Sequence, residues 1–190
     1  MRLFVAAELS DSVRAAAEKT SNTLQKALRR VGLDARWVST DKMHLTIRFI
    51  GQVPDPEAVS LVDAVVAPLA LPAFDVTLGG CGIFPPSGTP RVIWIGIADG
   101  LGPLAAIHDE MDRRLEPFGY EPERRPFSVH LTLARVKSAP RGSTAKVREI
   151  LQAARVPAAS CRITYATLFR SHLSPRGSRY ERLREVAFTG

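Results

Sequence analysis

The chain has 190 residues, 45% of them apolar and 24% charged, a composition that can bury a sizeable core and excludes a disordered polypeptide. Its 26 Lys and Arg against 19 Asp and Glu give a formal charge of +7 and a sequence pI of about 10.0, which favours an anionic partner over a cationic one. Two cysteines, Cys81 and Cys161, without a Cys-x-x-Cys pair, exclude a disulfide framework and a thiolate zinc motif. They fit a reducing, cytoplasmic setting, and since no apolar run approaches the ~20 residues of a membrane span, a soluble protein is expected.

Leu3 to Leu9 reads as a buried strand, and Ser10 or Asp11 can cap a helix whose Val13, Ala16, Ala17, Leu24 and Leu28 recur at helical spacing until Gly32 stops it. Ala35 to Val38 is a short extended piece. A strand follows from Met43, closed by Gly51, and Pro54-Asp55-Pro56 introduces a helix containing Val59, Leu61, Val62, Val65 and Val66. Phe74 to Leu78 alternates as a strand, Pro85 to Gly88 is a turn, and Arg91 to Ala98 is rich in β-branched residues. A third helix, Leu101 to Phe118, ends at Gly119 and carries His108 in its apolar stripe, a packed histidine rather than a ligand. Then come a strand from Val129, a helix from Thr144 to Ala154, a strand from Cys161 to Arg170, a turn at Ser174 to Ser178 and a last strand from Arg179 to Phe188.

Two of these strands are nearly the same. Met43-His44-Leu45-Thr46-Ile47-Arg48-Phe49 and Val129-His130-Leu131-Thr132-Leu133-Ala134-Arg135 superpose under a shift of 86 positions. Strand alternation puts His44, Thr46 and Arg48 on one face, with Leu45, Ile47 and Phe49 on the other, and groups His130 with Thr132 in the same way. Each motif strand is followed by helix, strand, turn and strand, and the same shift carries Trp94 onto Tyr180. This echo predicts two similar α+β lobes whose motif strands face one groove.

Neither motif contains Asp, Glu or Cys, which argues against a metal, and neither supplies the carboxylate that a nucleophilic threonine would need. Packing alone explains one polar strand face but not two with the same polar pair. Two imidazoles, one neutral and one protonated, can remove and deliver a proton in concert, while Thr46 and Thr132 donate to phosphate oxygens and Arg48 adds a fixed positive charge. The set amounts to a metal-free phosphodiester site.

The chain resembles the 2H phosphoesterase superfamily, in its RNA 2′,3′-cyclic phosphodiesterase branch, formerly called 2′-5′ RNA ligase. Besides the two His-x-Thr motifs, the resemblance rests on Arg2 to Ala6, Trp37-Val38, Ile50-Gly51, Arg125-Pro126-Phe127, and a tail with Ser171, Gly177 and Tyr180. It implies a bilobal, pseudo-symmetric α+β fold of the LigT-like type, two antiparallel-rich sheets with flanking helices around a central groove, residues 1–190 forming one domain of two intertwined lobes. It further implies hydrolysis of a terminal 2′,3′-cyclic phosphate on RNA or a nucleotide to a 2′-phosphomonoester without metal or cofactor, with reversal to 2′-5′ ligation as an accessible reaction. By position, His44 would be the proton donor, His130 the acceptor, and Thr46 and Thr132 the phosphate ligands. Arg135 would bind substrate if a bulge turned it to the His130 face. Phe4, Phe127 and Tyr180 are aromatic candidates for stacking on a base, each also explained by core packing, and His172 with Arg170, Arg176 and Arg179 could form a basic rim. A monomer is expected. The alternatives are a phosphodiesterase for a small cyclic nucleotide or cyclic ADP-ribose phosphate, and a non-catalytic RNA-binding module.

Overall fold

The computed structural model describes residues 1–123, 126–174 and 177–190. The chain opens with β1 (Arg2–Ala7) and α1 (Asp11–Arg30), whose first turn is capped by the Ser10 hydroxyl accepting from the Val13 amide. Gly32, at φ 78°, turns the chain out of that helix into β2 (Asp34–Trp37). The first motif strand is β3 (Leu45–Gln52), followed by α2 (Ala58–Val66), a long β4 (Phe74–Phe84), β5 (Val92–Asp99) and α3 (Leu101–Leu115), which ends in a 3₁₀ turn through Phe118. The second motif strand is β6 (Leu131–Ser138), then α4 (Thr144–Ala153), β7 (Ser160–Ile163), β8 (Tyr165–Ser174) and β9 (Gly177–Ala187). Among the described residues no helix is long and apolar enough to cross a membrane.

The architecture is α+β. Eight strands follow one path, β7-β4-β5-β6-β3-β1-β8-β9, with β2 added beside β6. At the centre of this path β3 and β6 touch through one backbone pair, Leu45 opposite Leu131, so two four-stranded halves splay apart from a narrow seam. Leu45, Leu131, Ile93, Ile95, Leu133 and Leu168 are all fully or almost fully buried in the main apolar core together with Leu24, Leu61, Leu104 and Leu151 of the four helices. At about 1.5–3 kcal/mol for each such side chain, this core holds the helices on one side of the sheet. The opposite side keeps a small separate cluster of Phe4, Ala6 and Phe169 with Tyr180 against it.

Connectivity makes the halves interdependent. β1 and β3 lie in one half and the chain then enters the other at β4; β5 and β6 lie in that other half and the chain returns at β8, while α1 packs on α4, β2 and β7 and α3 packs on α2 and β3, each helix covering the half opposite the strand that precedes it. The shift of 86 positions therefore holds for β3 and β6 and for α2 and α4, but the spatial counterpart of β5 is β1, which precedes its own helix and lies beside its own motif strand. Tyr180 on β9 is not the counterpart of Trp94. The same exchange explains why the stretch Cys161 to Arg170 is two strands rather than one: β7 pairs with β4, β8 pairs with β1, and the chain passes between the halves at Thr164. The centre of the turn expected between Ser174 and Ser178, with Arg176, lies outside the described residues, as does Arg125.

Candidate active site

Because Leu45 and Leu131 are antiparallel partners, the register at the seam places His44 across from Thr132 and Thr46 across from His130. Each histidine stands just before its strand, where the chain is free to bend back. His44 Nδ1 donates to the Lys42 carbonyl at 2.8 Å, and His130 Nδ1 donates to the Ser128 carbonyl at 2.7 Å. A carbonyl can only accept, so the Nδ1 proton is fixed in both rings. Nε2 is left on each as the atom that accepts a proton when the ring is neutral and donates one when it is charged. The Arg14 guanidinium secures the first of these bends, donating to the carbonyls of Leu9, Thr40 and Met43 at 2.9–3.1 Å.

His44, Thr46, Thr132 and Arg135 line one cavity of about 190 Å³ with Arg2, Phe4, Val38, Lys42, Phe49 and Tyr180, closed on the C-terminal side by Ser171, Leu173 and Ser178. Arg135 is there because of a bulge. In β6, Thr132 pairs with Trp94 and Ala134 with Ile93, leaving Leu133 as the extra residue, so parity changes and Arg135 emerges on the groove face. The same bulge occurs in β3, where Thr46 pairs with Ala6 and Arg48 with Val5, leaving Ile47 extra.

That second bulge overturns the expectation for Arg48. Strict alternation would place it beside His44 and Thr46; instead Phe49 takes the groove position and Arg48 is buried, only 5% exposed, on the helix side. Its Nε lies 2.5 Å from Asp112 of α3, while its terminal nitrogens reach Glu123 at 3.0 Å and the Glu121 carbonyl at 2.7 Å. Arg48 is an internal strut that ties the first motif strand to α3 and to the segment leading into the second motif.

Two aromatic rings back each histidine. His44 lies 5.0 Å from Phe4 and 6.3 Å from Phe169; His130 lies 4.9 Å from Phe84 and 6.3 Å from Trp94. Gly82 makes room for the indole, since a Cβ there would overlap the Trp94 ring. Burial among these rings lowers the His44 pKa, helped by Arg14 and by His130 itself, against the opposing pull of the Lys42 carbonyl and Glu8. Burial likewise lowers the His130 pKa, with Arg135 pushing the same way and the Ser128 carbonyl opposing.

Of the remaining sequence candidates, Tyr180 stands edge-on to His44 at 5.0 Å and lines the cavity. Phe4 is 3% exposed and stacks on Phe169 at 5.2 Å, so it is a wall behind His44 rather than an open platform for a base. Phe127 is likewise occupied, stacking at 4.5 Å on His108, which is buried on α3 as its stripe predicted. His172 pairs with Glu181 at 2.6 Å and does not line the cavity, although its neighbours Ser171 and Leu173 do. Sequence reasoning missed Lys42, Ser128, Phe84 and Phe169. The first two fall on each other under the shift of 86, a signal that was available in the sequence. Among the described residues no group of three or more His, Cys, Asp or Glu side chains is placed to hold a metal ion, and burial pushes the Cys81 thiol up to about 11.

Comparison with known proteins agrees with this geometry. The sequence profile of the 2′-5′ RNA ligase superfamily matches residues 9–174. A protein of Aeropyrum pernix named RNA 2′,3′-cyclic phosphodiesterase is 34% identical over 163 residues, covering 86% of this chain and 92% of the relative. A crystal structure from Thermus thermophilus superposes with a TM-score of 0.77 at 27% identity, over 99% of this chain and 98% of that one. Escherichia coli LigT complexed with 3′-AMP superposes with a TM-score of 0.73 at 25% identity, over 100% of this chain and 98% of that one. With two His-x-Thr strands meeting at one seam and a profile match across most of its length, the chain belongs to the 2′-5′ RNA ligase superfamily.

Proposed function

We propose that the protein hydrolyses the 2′,3′-cyclic phosphate at the end of an RNA or on a nucleotide, leaving a 2′-phosphomonoester and a free 3′ hydroxyl. The observation that carries this reading is the matched tethering of His44 and His130 through Nδ1, which leaves two Nε2 atoms for proton transfer on either side of one seam. His130 Nε2 takes a proton from the attacking water, the new P–O bond forms, the bond from phosphorus to the 3′ oxygen breaks, and His44 Nε2 delivers its proton to that oxygen. The more solvent-exposed tether of His130 suits the ring that handles water, and the deeper site of His44 suits the acid. Thr46 and Thr132 donate to the non-bridging oxygens, and Arg135 offsets the charge that builds in the transition state.

Both imidazole pKa values are lowered in the free protein, so the proton on His44 is held chiefly when an anionic phosphate lies against it. If a 5′ hydroxyl replaces water, the same steps join two RNA ends through a 2′-5′ linkage. Because each half contributes one histidine and one threonine, residues 1–190 act as a single catalytic unit of two intertwined lobes, with no step that calls for a metal. The Aeropyrum pernix relative's name supports this substrate class. Phosphorus NMR of an RNA carrying a 2′,3′-cyclic phosphate, incubated with the protein in excess EDTA, reads turnover and product isomer together. Conversion to the 2′-phosphate supports the reading, and an unchanged cyclic resonance, or a 3′-phosphate product, overturns it.

A further inference from the structure

The two halves match at their motifs and differ beside them. Ala6 and Ala7 of β1 pair with Thr46 and Leu45, and the same register continued by one residue brings Glu8 level with His44. In the other half Trp94 and Ile95 of β5 pair with Thr132 and Leu131, and the residue level with His130 is Gly96. A carboxylate on one side thus corresponds to a glycine on the other. A side chain at Gly96 would have little room, because the Trp94 ring lies 3.3 Å from where its Cβ would stand. Glu8 is held on the groove side: its carboxylate accepts from the Thr167 hydroxyl at 2.9 Å and pairs with Arg182 Nε at 2.9 Å. Thr167 is the partner of Ala6 and is fully buried on the face that carries Phe4 and Phe169, a costly place for a hydroxyl without a fixed acceptor.

Arg182 is half-exposed and also pairs with Glu185 at 3.2 Å, so solvent and a second carboxylate share its charge. Around His44, Arg14 and His130 oppose a proton on the ring and Glu8 favours one, while Arg2, Lys42, Arg135 and Tyr180 line the same cavity. Beside His130, Arg135 opposes a proton. Two rings with the same tether therefore differ in their counter-charge. We infer that Glu8 is a positioning residue that reserves the protonated role for His44, its carboxylate stabilising the imidazolium, while the glycine and indole beside His130 leave that ring neutral. The inference rests on the proposed acid–base reaction and explains why two nearly identical motifs take different parts in it. Burial alone would make His44, the ring with the deeper tether, the poorer holder of a proton, and Glu8 offsets that.

The test is Glu8→Gln, which keeps the size of the side chain and an acceptor for Thr167 but removes the charge, with Glu8→Asp as the charged control. Proton NMR of the imidazole Cε1–H resonances in the free protein, assigned with His44→Ala and His130→Ala, reads each ring separately. Glu8→Gln should lower the His44 midpoint by about half a pH unit or more and leave that of His130 within about 0.2 of native; Glu8→Asp should restore most of the His44 value. An unmoved His44 midpoint overturns the inference, and so does an equal drop in both rings. This measurement needs no turnover, so it separates failure of the positioning role from failure of the cyclic phosphodiesterase activity. Kinetics supply the second readout. On an RNA 2′,3′-cyclic phosphate the basic limb of kcat/KM, where the acid loses its proton, should move down by the same amount in Glu8→Gln while the acid limb stays. An aryl ester needs no acid, and Glu8→Gln should turn it over at the native rate. A loss that is equal on both substrates and at every pH marks a merely structural residue and overturns the inference.

Discussion

Among the described residues Leu45 and Leu131 form the single backbone pair between the two halves of the sheet, and each is flanked by the histidine and threonine of its motif. The two motifs, far apart in the chain, meet at that pair. His44 and His130 reach it from opposite halves, so in the proposed mechanism proton removal and proton delivery come from different lobes.

Chelation is the simplest test of the acid–base scheme, in which imidazoles and hydroxyls do the work that metal sites assign to a cation. Excess EDTA should leave kcat/KM within about twofold of its untreated value. Loss of activity on chelation, restored by zinc or manganese, would remove the basis for assigning the chemistry to two histidines.

Thr46→Ala and Thr132→Ala should each remove a hydrogen bond to an anionic phosphate while both imidazole tethers remain. Such a bond is worth roughly 1.5–3 kcal/mol, so kcat/KM should fall about ten- to a hundredfold in each variant. Steady-state kinetics on a cyclic-phosphate substrate read this directly, and native values in either variant would mean that its hydroxyl does not meet the substrate.

The pH dependence follows from the lowered pKa of both rings. Activity needs one ring neutral and one charged, so kcat/KM should trace a bell that reports the pair's apparent constants and peaks below the ordinary imidazole value of 6.5. Bound phosphate favours the charged rings, so the bell in kcat should sit at higher pH than the bell in kcat/KM. A kcat/KM optimum above 6.5 would contradict the burial of these rings. The sign for stability is the reverse of a salt-bridged histidine: the folded rings bind protons less readily than the unfolded ones, so this contribution is complete above the unfolded pKa and is lost as pH falls below it.

The division of roles is tested by leaving group. His44→Ala and His130→Ala should each cost at least ~10²-fold, and the double variant much less than the product of the two losses. An aryl ester leaves without help from an acid, so it should rescue His44→Ala and not His130→Ala; the opposite pattern reverses the assignment.

Arg48→Ala distinguishes an internal strut from a phosphate ligand. Leaving Asp112 without its partner should cost roughly 3–5 kcal/mol of stability, read as a lower urea midpoint. A phosphate ligand would instead give a large kinetic loss with the midpoint unchanged.

The helices, the two motif strands, the paired histidines and threonines and the family were legible in the sequence, because apolar periodicity, capping residues and a repeated tetrad are local in the chain. The destinations of Arg48 and Arg135 were not. Alternation along a strand predicts a face only while the ladder is regular, and one extra residue, Ile47 in β3 or Leu133 in β6, exchanges the faces beyond it. Nor could the repeat reveal which strands are counterparts, since β4 and β8 each cross into the other half, and pairing between distant segments leaves no mark on local periodicity. The sequence by itself determined the family and the paired groups to which the chemistry is assigned. The tertiary structure alone decided which of the charged residues stand beside them, because that depends on where two ladders slip and on which strand is brought beside each motif.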